Sequence, residues 1–475
     1  MDEPARIHET HISWITLIGD RAYKLLKPIR TGFLDHRERE GRRLACLREV
    51  ELNRRFAPEV YLGVLTVAAA DGQVRDHLIE MRRMPAERRL SALIDATDAP
   101  DLITRVALAI GALHAASPPA DRGGDAAWLR NLWEEGWRQL AEAAPGVIEE
   151  APLARAAQLA RRFLEGRGPL FARRTDAGWI RDGHGDLLAD DMYVLDEGPQ
   201  ILDCLAFDDD LRVGDVLGDI AFLAMDLERL GRPDLSALLL SEWSASLDEH
   251  HPPALAHHHI AYRAHVRAKV SAIRHVQGDA QAGEQARALH RLCLEHLEAG
   301  RVRLVLVGGT PGTGKSTIAR ALAERTGWSL IATDAVRGTI VGPPGPFGDA
   351  YGQGRYAADA RDRVYAHLRE LAGERLAGGH SVILDASWSS ASQRALALEL
   401  GRAVAADVVE LRCDAPADVC ARRIAARRGD PSEATAAIAA RMRATFDPWP
   451  SAALLSTDRP SEESLTRALE HASGH

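Results

Sequence analysis

Gly309-Thr310-Pro311-Gly312-Thr313-Gly314-Lys315-Ser316 lies between an apolar run at 304–307 and a helix-patterned stretch at 317–325 that stops at Gly327. The spacing is GxxxxGK[ST]. Glycines at these positions let successive backbone N–H groups converge on an anion. A helix that starts at the end of the loop adds partial positive charge. Lys315 supplies a mobile cation, and Ser316 a hydroxyl suited to a hard metal ion. The segment Gly309, Thr310, Pro311, Gly312, Thr313, Gly314, Lys315, Ser316 and Thr317 is therefore expected to hold the phosphates of ATP. Lys315 would meet the β- and γ-phosphates, and Ser316 would ligate magnesium.

Outward from this loop, strand-like and helix-like segments alternate from residue 302 to the end. That alternation predicts a parallel α/β sheet. Residues 329–333 form a second strand-like run that leads into Asp334, with Arg337 one turn later. In parallel sheets ligands sit beyond the carboxyl ends of the strands. Asp334 is thus placed to orient or deprotonate an acceptor hydroxyl, and Arg337 to grip an anionic group of the substrate. A third run, 381–384, ends in Asp385, where a carboxylate can hold magnesium. A further run at 408–412 precedes a helix-patterned stretch with Arg422 and Arg423, and then Arg427-Arg428. Arginines here can close over a nucleotide and stabilise charge on a transferring phosphoryl group, and Arg423 and Arg427 are the candidates.

The loop, Thr333-Asp334-x-x-Arg337 and Asp385-Ala386-Ser387 together resemble the gluconate, shikimate and adenylate kinase group, and predicted kinases related to zeta toxins. The resemblance covers about 300–475. It implies five parallel strands with the phosphate loop after the first.

The first half reads differently. Strand-like runs at 11–17 and 22–26 flank Gly19-Asp20, a hairpin signal. Residues 34–56 carry Leu44, Leu47, Leu52 and Phe56 at helical spacing, and two more strands follow around Asp71-Gly72. From about 90 to 298 the pattern is mostly helical, with one interruption between 179 and 218. That interruption holds His184-Gly185-Asp186-Leu187-Leu188-Ala189-Asp190-Asp191, a hairpin turning at Glu197-Gly198-Pro199, and then Asp203. Phosphoryl transfer needs such a set: one Asp for the acceptor proton, and two later groups for magnesium.

This half resembles the aminoglycoside phosphotransferase and choline kinase family, which has the protein-kinase-like fold. By that resemblance Asp186 is catalytic, Asp191 and Asp203 hold magnesium, and Lys24 contacts the nucleotide. Glu49 partners Lys24, with Glu51 as the alternative. Gly214-Asp215 and Asp219 would be structural. Leu188, Asp191 and Ala206 depart from the family pattern, which usually has His, Asn and Glu there. They leave two readings open for this half: an active phosphotransferase, or a degenerate module that only binds nucleotide.

Composition narrows the function classes. A formal net charge of −9 argues against a general nucleic-acid binder. No apolar run is long enough for a membrane span, and Met1-Asp2-Glu3-Pro4 does not open a signal peptide, so a cytoplasmic setting is expected. The five scattered cysteines suit buried packing in a reducing compartment rather than zinc binding. His250, His251, His257, His258 and His259 flank Pro252-Pro253 and read as a solvated loop, as does Asp208-Asp209-Asp210.

The expectation is a bilobal, protein-kinase-like phosphotransferase fold over 1–298, followed by a P-loop kinase domain over 300–475. The architecture resembles bacterial bifunctional aminoglycoside phosphotransferase-like and ATP-binding fusions. The expected activity is ATP- and magnesium-dependent phosphorylation of a small hydroxylated metabolite, with neither nucleic acid nor membrane as partner. The alternatives are an ATP-binding regulatory switch and a zeta-toxin-like kinase of a nucleotide sugar.

Overall fold

The structure is a computed structural model that describes residues 5–10, 12–30, 35–341, 357–426, 436–458 and 461–474. It divides into two compact units. The first comprises Met1–Ala156, Phe171–His251 and Ala256–His296; the second comprises Ala157–Leu170, Pro252–Leu255 and Leu297–His475.

The first unit opens with a five-stranded antiparallel sheet. Its strands are β1 (Arg6–Glu9), β2 (Ser13–Ile18), β3 (Arg21–Leu26), β4 (Tyr61–Ala68) and β5 (Val74–Arg82), in the order β1-β2-β3-β5-β4. The β2–β3 hairpin turns at Gly19, whose φ of 57° suits glycine. Alternation along β3 sends Ala22, Lys24 and Leu26 inward. They meet a core built from Cys46, Val50, Val60, Tyr61 and Ile79. β1 has no hydrophobic alternation and all four of its residues are exposed, so the expected elements omit it.

The helix expected over 34–56 spans Arg39–Asn53. Leu44 and Leu47, expected to pack, are exposed. Leu52 and Phe56 are buried as expected, and the rest of the buried face carries Arg42, Cys46, Glu49, Val50 and Asn53. Polar groups can occupy it because each has a partner: Arg42 binds Asp76 at 2.8 Å, and Glu49 binds Lys24 at 2.7 Å.

Helices dominate the rest of this unit, and short strands interrupt them where the sequence pattern breaks. β6 (Ile180–Asp182) pairs with β9 (Val213–Asp215), and β7 (Met192–Leu195) pairs with β8 (Gly198–Ile201). The β7–β8 turn is tighter than expected. Leu195 faces Gly198, so it turns on Asp196-Glu197.

The histidine stretch is a clear correction. Pro253 begins a helix, Pro253–Val276, and His258 and His259 are buried in it. Proline fits the first turn of a helix as well as it fits a loop. Among the described residues, no group of three or more His, Cys, Asp or Glu could by itself hold a metal. Asp209 and Asp210 are not simply solvated either. Asp209 pairs with Arg48 and Arg212, and Asp210 with Arg122. All five cysteines are free and buried.

The second unit holds a five-stranded parallel sheet: β10 (Arg303–Gly308), β11 (Ser329–Ala332), β12 (Val382–Asp385), β13 (Asp407–Asp414) and β14 (Ala453–Ser456). The order is β11-β12-β10-β13-β14, so the strand feeding the phosphate loop is central. Every residue of β10 is buried. Val305, Val307, Ile383, Leu411 and Leu455 pack against Ile318, Leu322, Leu465 and Ala468 of flanking helices. Residues 157–170 join this unit through polar contacts: Arg162 and Arg301 clamp Asp407, at 3.0 and 2.6 Å, and Arg167 donates to the Val404 carbonyl at 2.7 Å. No helix of the described residues is long and apolar enough to cross a membrane.

Candidate functional site

The phosphate loop follows β10 directly. Gly309, Gly312 and Gly314 have φ values of 146°, 87° and 80°, which side-chain-bearing residues rarely adopt. Space confirms the need at Gly312: a Cβ there would lie 2.7 Å from the Cys420 carbonyl oxygen. The helix Lys315–Thr326 starts at the loop's end, which turns its first N–H groups toward the loop, and it stops at Gly327.

Distant groups hold the loop's shape. Thr313 Oγ1 donates to the Thr310 carbonyl at 2.8 Å. Thr457, just past β14, donates its hydroxyl to the Thr313 carbonyl at 2.6 Å and its N–H to Asp414 at 2.9 Å. Arg423 donates to the carbonyls of Gly312 at 3.3 Å and Thr457 at 2.7 Å. The guanidinium thus braces the loop through backbone oxygens. Arg427 lies outside the described residues. Nothing local marks Thr457 in the sequence, because it reaches the loop only through the fold.

Asp385 ends β12, level with Val307 of β10 and Ala332 of β11. It is buried, and its Oδ1 has no hydrogen-bond partner. Burial raises its pKa, against the pull of nearby Lys315 and a hydrogen bond from Ser316. A buried carboxylate oxygen without a donor, beside a hydroxyl, fits a magnesium ion shared with phosphate. Ser316 and Asp385 are the residues that would hold it.

Asp334 and Arg337 sit in the first turns of the helix Thr333–Val341 that follows β11, with Arg337 Nη1 2.6 Å from Asp334 Oδ1. Tyr365 stands nearby. Its hydroxyl lies 3.2 Å from Ser387 Oγ and accepts from the N–H of Trp388 at 3.2 Å. Trp388 is fully buried at φ 50°, a strained conformation held by the packing around it. Tyr365 and Trp388 were not among the expected site residues.

In the first unit the structure brings Lys24, Glu49 and Asp203 together. Lys24 Nζ donates to Glu49 Oε1 at 2.7 Å and to Asp203 Oδ1 at 2.9 Å. Burial alone would favour loss of the Lys24 proton, but Asp203 and Glu49 outweigh it and raise its pKa well above the ordinary value. Glu51 instead faces outward, paired with Arg48. Asn53 accepts from the Cys204 N–H at 2.8 Å, and Tyr61 Oη accepts from the Asp203 N–H at 3.1 Å. These bonds hold Asp203 at φ 65°.

The loop with Asp186 hangs on Asp219, which accepts from the N–H groups of His184 and Gly185, both at 2.8 Å, and from His114 at 3.0 Å. Asp215 is committed to Arg174 at 2.7 Å. Asp186 is pushed up to about 6, chiefly by burial, with Arg267 opposing. Asp191 is raised well above the ordinary range by burial and by the charges of Asp203 and Asp186. Carboxylates gathered with Lys24 as nearby counter-charge form a donor set that a divalent cation fits. Asp191 and Asp203 would hold it.

Comparison with known proteins follows the same division. Residues 304–449 match the model of the AAA domain family. The whole chain is similar to the Mycobacterium tuberculosis (strain H37Rv) protein named "Uncharacterized protein Rv2004c". The two are 39% identical over 478 residues, which is 98% of this chain and 95% of that protein. Among solved structures, a choline/ethanolamine kinase family protein from Mesorhizobium loti is 13% identical, with a TM-score of 0.41, covering 63% of this chain and 92% of that one. A sugar kinase from Janibacter sp. HTCC2649 is 25% identical, with a TM-score of 0.29, covering 36% and 94%. The first unit joins a five-stranded antiparallel sheet to a mostly helical part, and the second is a P-loop domain with a five-stranded parallel sheet. By full-length similarity to the mycobacterial protein, the chain belongs to that protein's family.

Proposed function

We propose that the second unit is an ATP-dependent kinase of a small hydroxylated metabolite. The observation that carries this reading is Asp385: a buried carboxylate with an unpartnered oxygen, beside Ser316 and Lys315 at the end of the central strands. The Gly309–Thr317 segment would hold the ATP phosphates on backbone N–H groups, and Lys315 would neutralise the β- and γ-oxygens. Magnesium, when bound, supplies charge neutralisation across the phosphates. Asp334 would take the proton as the acceptor O–H bond breaks. The acceptor oxygen then bonds to the γ-phosphorus, and the bond to the bridging oxygen breaks with its electron pair on ADP. Arg337 both orients Asp334 and offers a cation to an anionic acceptor group. Arg423 keeps the loop in shape through the Gly312 and Thr457 carbonyls.

The test is transfer from γ-labelled ATP to sugars, polyols and nucleosides, using the full chain and its Asp334→Asn variant. Transfer to one acceptor class, with kcat at least about a hundredfold lower in the variant and ATP affinity unchanged, is expected. Tight ATP binding that no acceptor stimulates would instead favour the switch reading. Growth arrest relieved by Asp334→Asn, with transfer only to a nucleotide sugar, would favour the toxin-like one.

A further inference from the structure

A cavity of about 1650 Å³ opens in the first unit beside Asp186 and Asp203. Its charges are unevenly committed. Glu135 and Glu142 are both held by Arg138, at 2.8 and 2.6 Å. Asp279 is held by Arg274 at 2.6 Å. The carboxylates on that wall are thus already neutralised. Besides Arg274, the helix Pro253–Val276 contributes Arg263, Arg267 and Lys269 to the same cavity. Arg263 donates to the Gly218 carbonyl at 2.8 Å and lies over Phe222. Lys269 donates to Gln139 Oε1 at 2.6 Å. Arg267 approaches Asp186, with Nη1 4.0 Å from Oδ1. Among the described residues, Arg263 and Lys269 meet no carboxylate within ion-pair distance, and Arg267 reaches only the limit of it.

We propose that the first unit phosphorylates a hydroxylated acceptor that carries a phosphate or carboxylate group near the hydroxyl, held by Arg267. A polycationic acceptor needs free carboxylates, and apart from the reacting Asp186 those lining the cavity are each paired with a basic side chain. An anion beside the reacting hydroxyl finds a planar donor fork that is not yet in a close ion pair. The distance from Arg267 to Asp186 sets the acceptor's size: its anionic group and its hydroxyl lie within a few bonds of each other. In the reaction the acceptor O–H bond breaks and its proton passes to Asp186. A new bond forms to the γ-phosphorus of ATP, and the bond to the bridging oxygen breaks, its electron pair leaving on ADP.

This reading is independent of the P-loop reading and is tested with that site disabled. The full-length Lys315→Ala chain is given γ-labelled ATP and acceptors in three classes: phosphorylated or carboxylated polyols and sugars, neutral polyols and sugars, and aminoglycosides such as kanamycin. Transfer to the anionic class is expected. Adding Arg267→Ala should raise KM for that acceptor about tenfold or more while KM for ATP stays constant, and Arg267→Lys should recover part of the loss. Transfer to kanamycin or to neutral acceptors, or an acceptor KM indifferent to Arg267, overturns the proposal. So does the absence of transfer to every class by a chain that still binds ATP in a Lys24-dependent manner.

Discussion

Replacing Gly312 with alanine tests the loop's geometry directly. The residue sits at φ 87°, and its new Cβ would lie 2.7 Å from the Cys420 carbonyl oxygen and 2.9 Å from Cys420 Cα. Left-handed backbone costs a residue with a Cβ about 1–2 kcal/mol. The obstruction is backbone of the helix Ala417–Ala425, not the end of a flexible side chain, so relief requires the helix or the loop to move. Overpacking of this kind costs about 1–3 kcal/mol more. The total is about 2–5 kcal/mol, which corresponds to a loss of about 30-fold or more if it falls on the binding-competent loop. The helix that must move also carries Arg423, so the brace on the Gly312 carbonyl is disturbed as well. Fluorescent-nucleotide titration of the full chain reads the loss. Gly338→Ala is the control, since a Cβ there meets nothing within 4 Å. Parent-like nucleotide affinity in Gly312→Ala would refute this account of the loop.

Other expectations concern both units. Lys24→Met leaves Glu49 buried without its cation, and should destabilise the first unit by about 3–5 kcal/mol in urea unfolding; adding Glu49→Leu should recover much of that. His184 and His259 are both buried and lowered from 6.5 to about 4, chiefly by burial. Their folded pKa lies below the unfolded value, so the unfolded state binds more protons and stability falls as pH drops from 6.5 toward 4. At pH 5 each should cost about 2 kcal/mol relative to pH 7.5, and His259→Gln should flatten the dependence of the urea midpoint on pH. Asp385→Asn should raise the magnesium concentration required for half-maximal turnover by about tenfold or more, with little change in the unfolding midpoint.

The loop and the parallel sheet were legible in the sequence because their signals are local. Three glycines at fixed spacing, a lysine and an apolar run before them leave few other structures for residues 304–326. Asp186 and Asp203 were legible for a different reason: an interruption in a helical lobe, with carboxylates on both sides of a hairpin; Lys24 came only from the resemblance to the aminoglycoside phosphotransferase and choline kinase family. What stayed hidden depends on tertiary partners. The helix Arg39–Asn53 buries Glu49 and Arg42 and exposes Leu44, because ion-paired residues share its inner face with Cys46, Val50 and Leu52. Pro252-Pro253 reads equally well as a loop or a helix start, and only packing around His258 and His259 resolves it. Thr457 supports the loop from the far end of β14, 144 residues beyond Thr313. The share of Arg267 in the Asp186 environment arises from a helix about 80 residues downstream, at no spacing a motif would reveal.

The central claim is that the second unit transfers phosphoryl groups through its P-loop. Acceptor-dependent ADP release, measured side by side for the full chain, Lys315→Ala and Lys24→Ala with one neutral acceptor that the parent phosphorylates, a class the first unit is not expected to serve, tests it most directly. Loss of that activity by at least about a hundredfold in Lys315→Ala, with most of it kept in Lys24→Ala, is the expected result. Parent-like ADP release from Lys315→Ala would contradict the account.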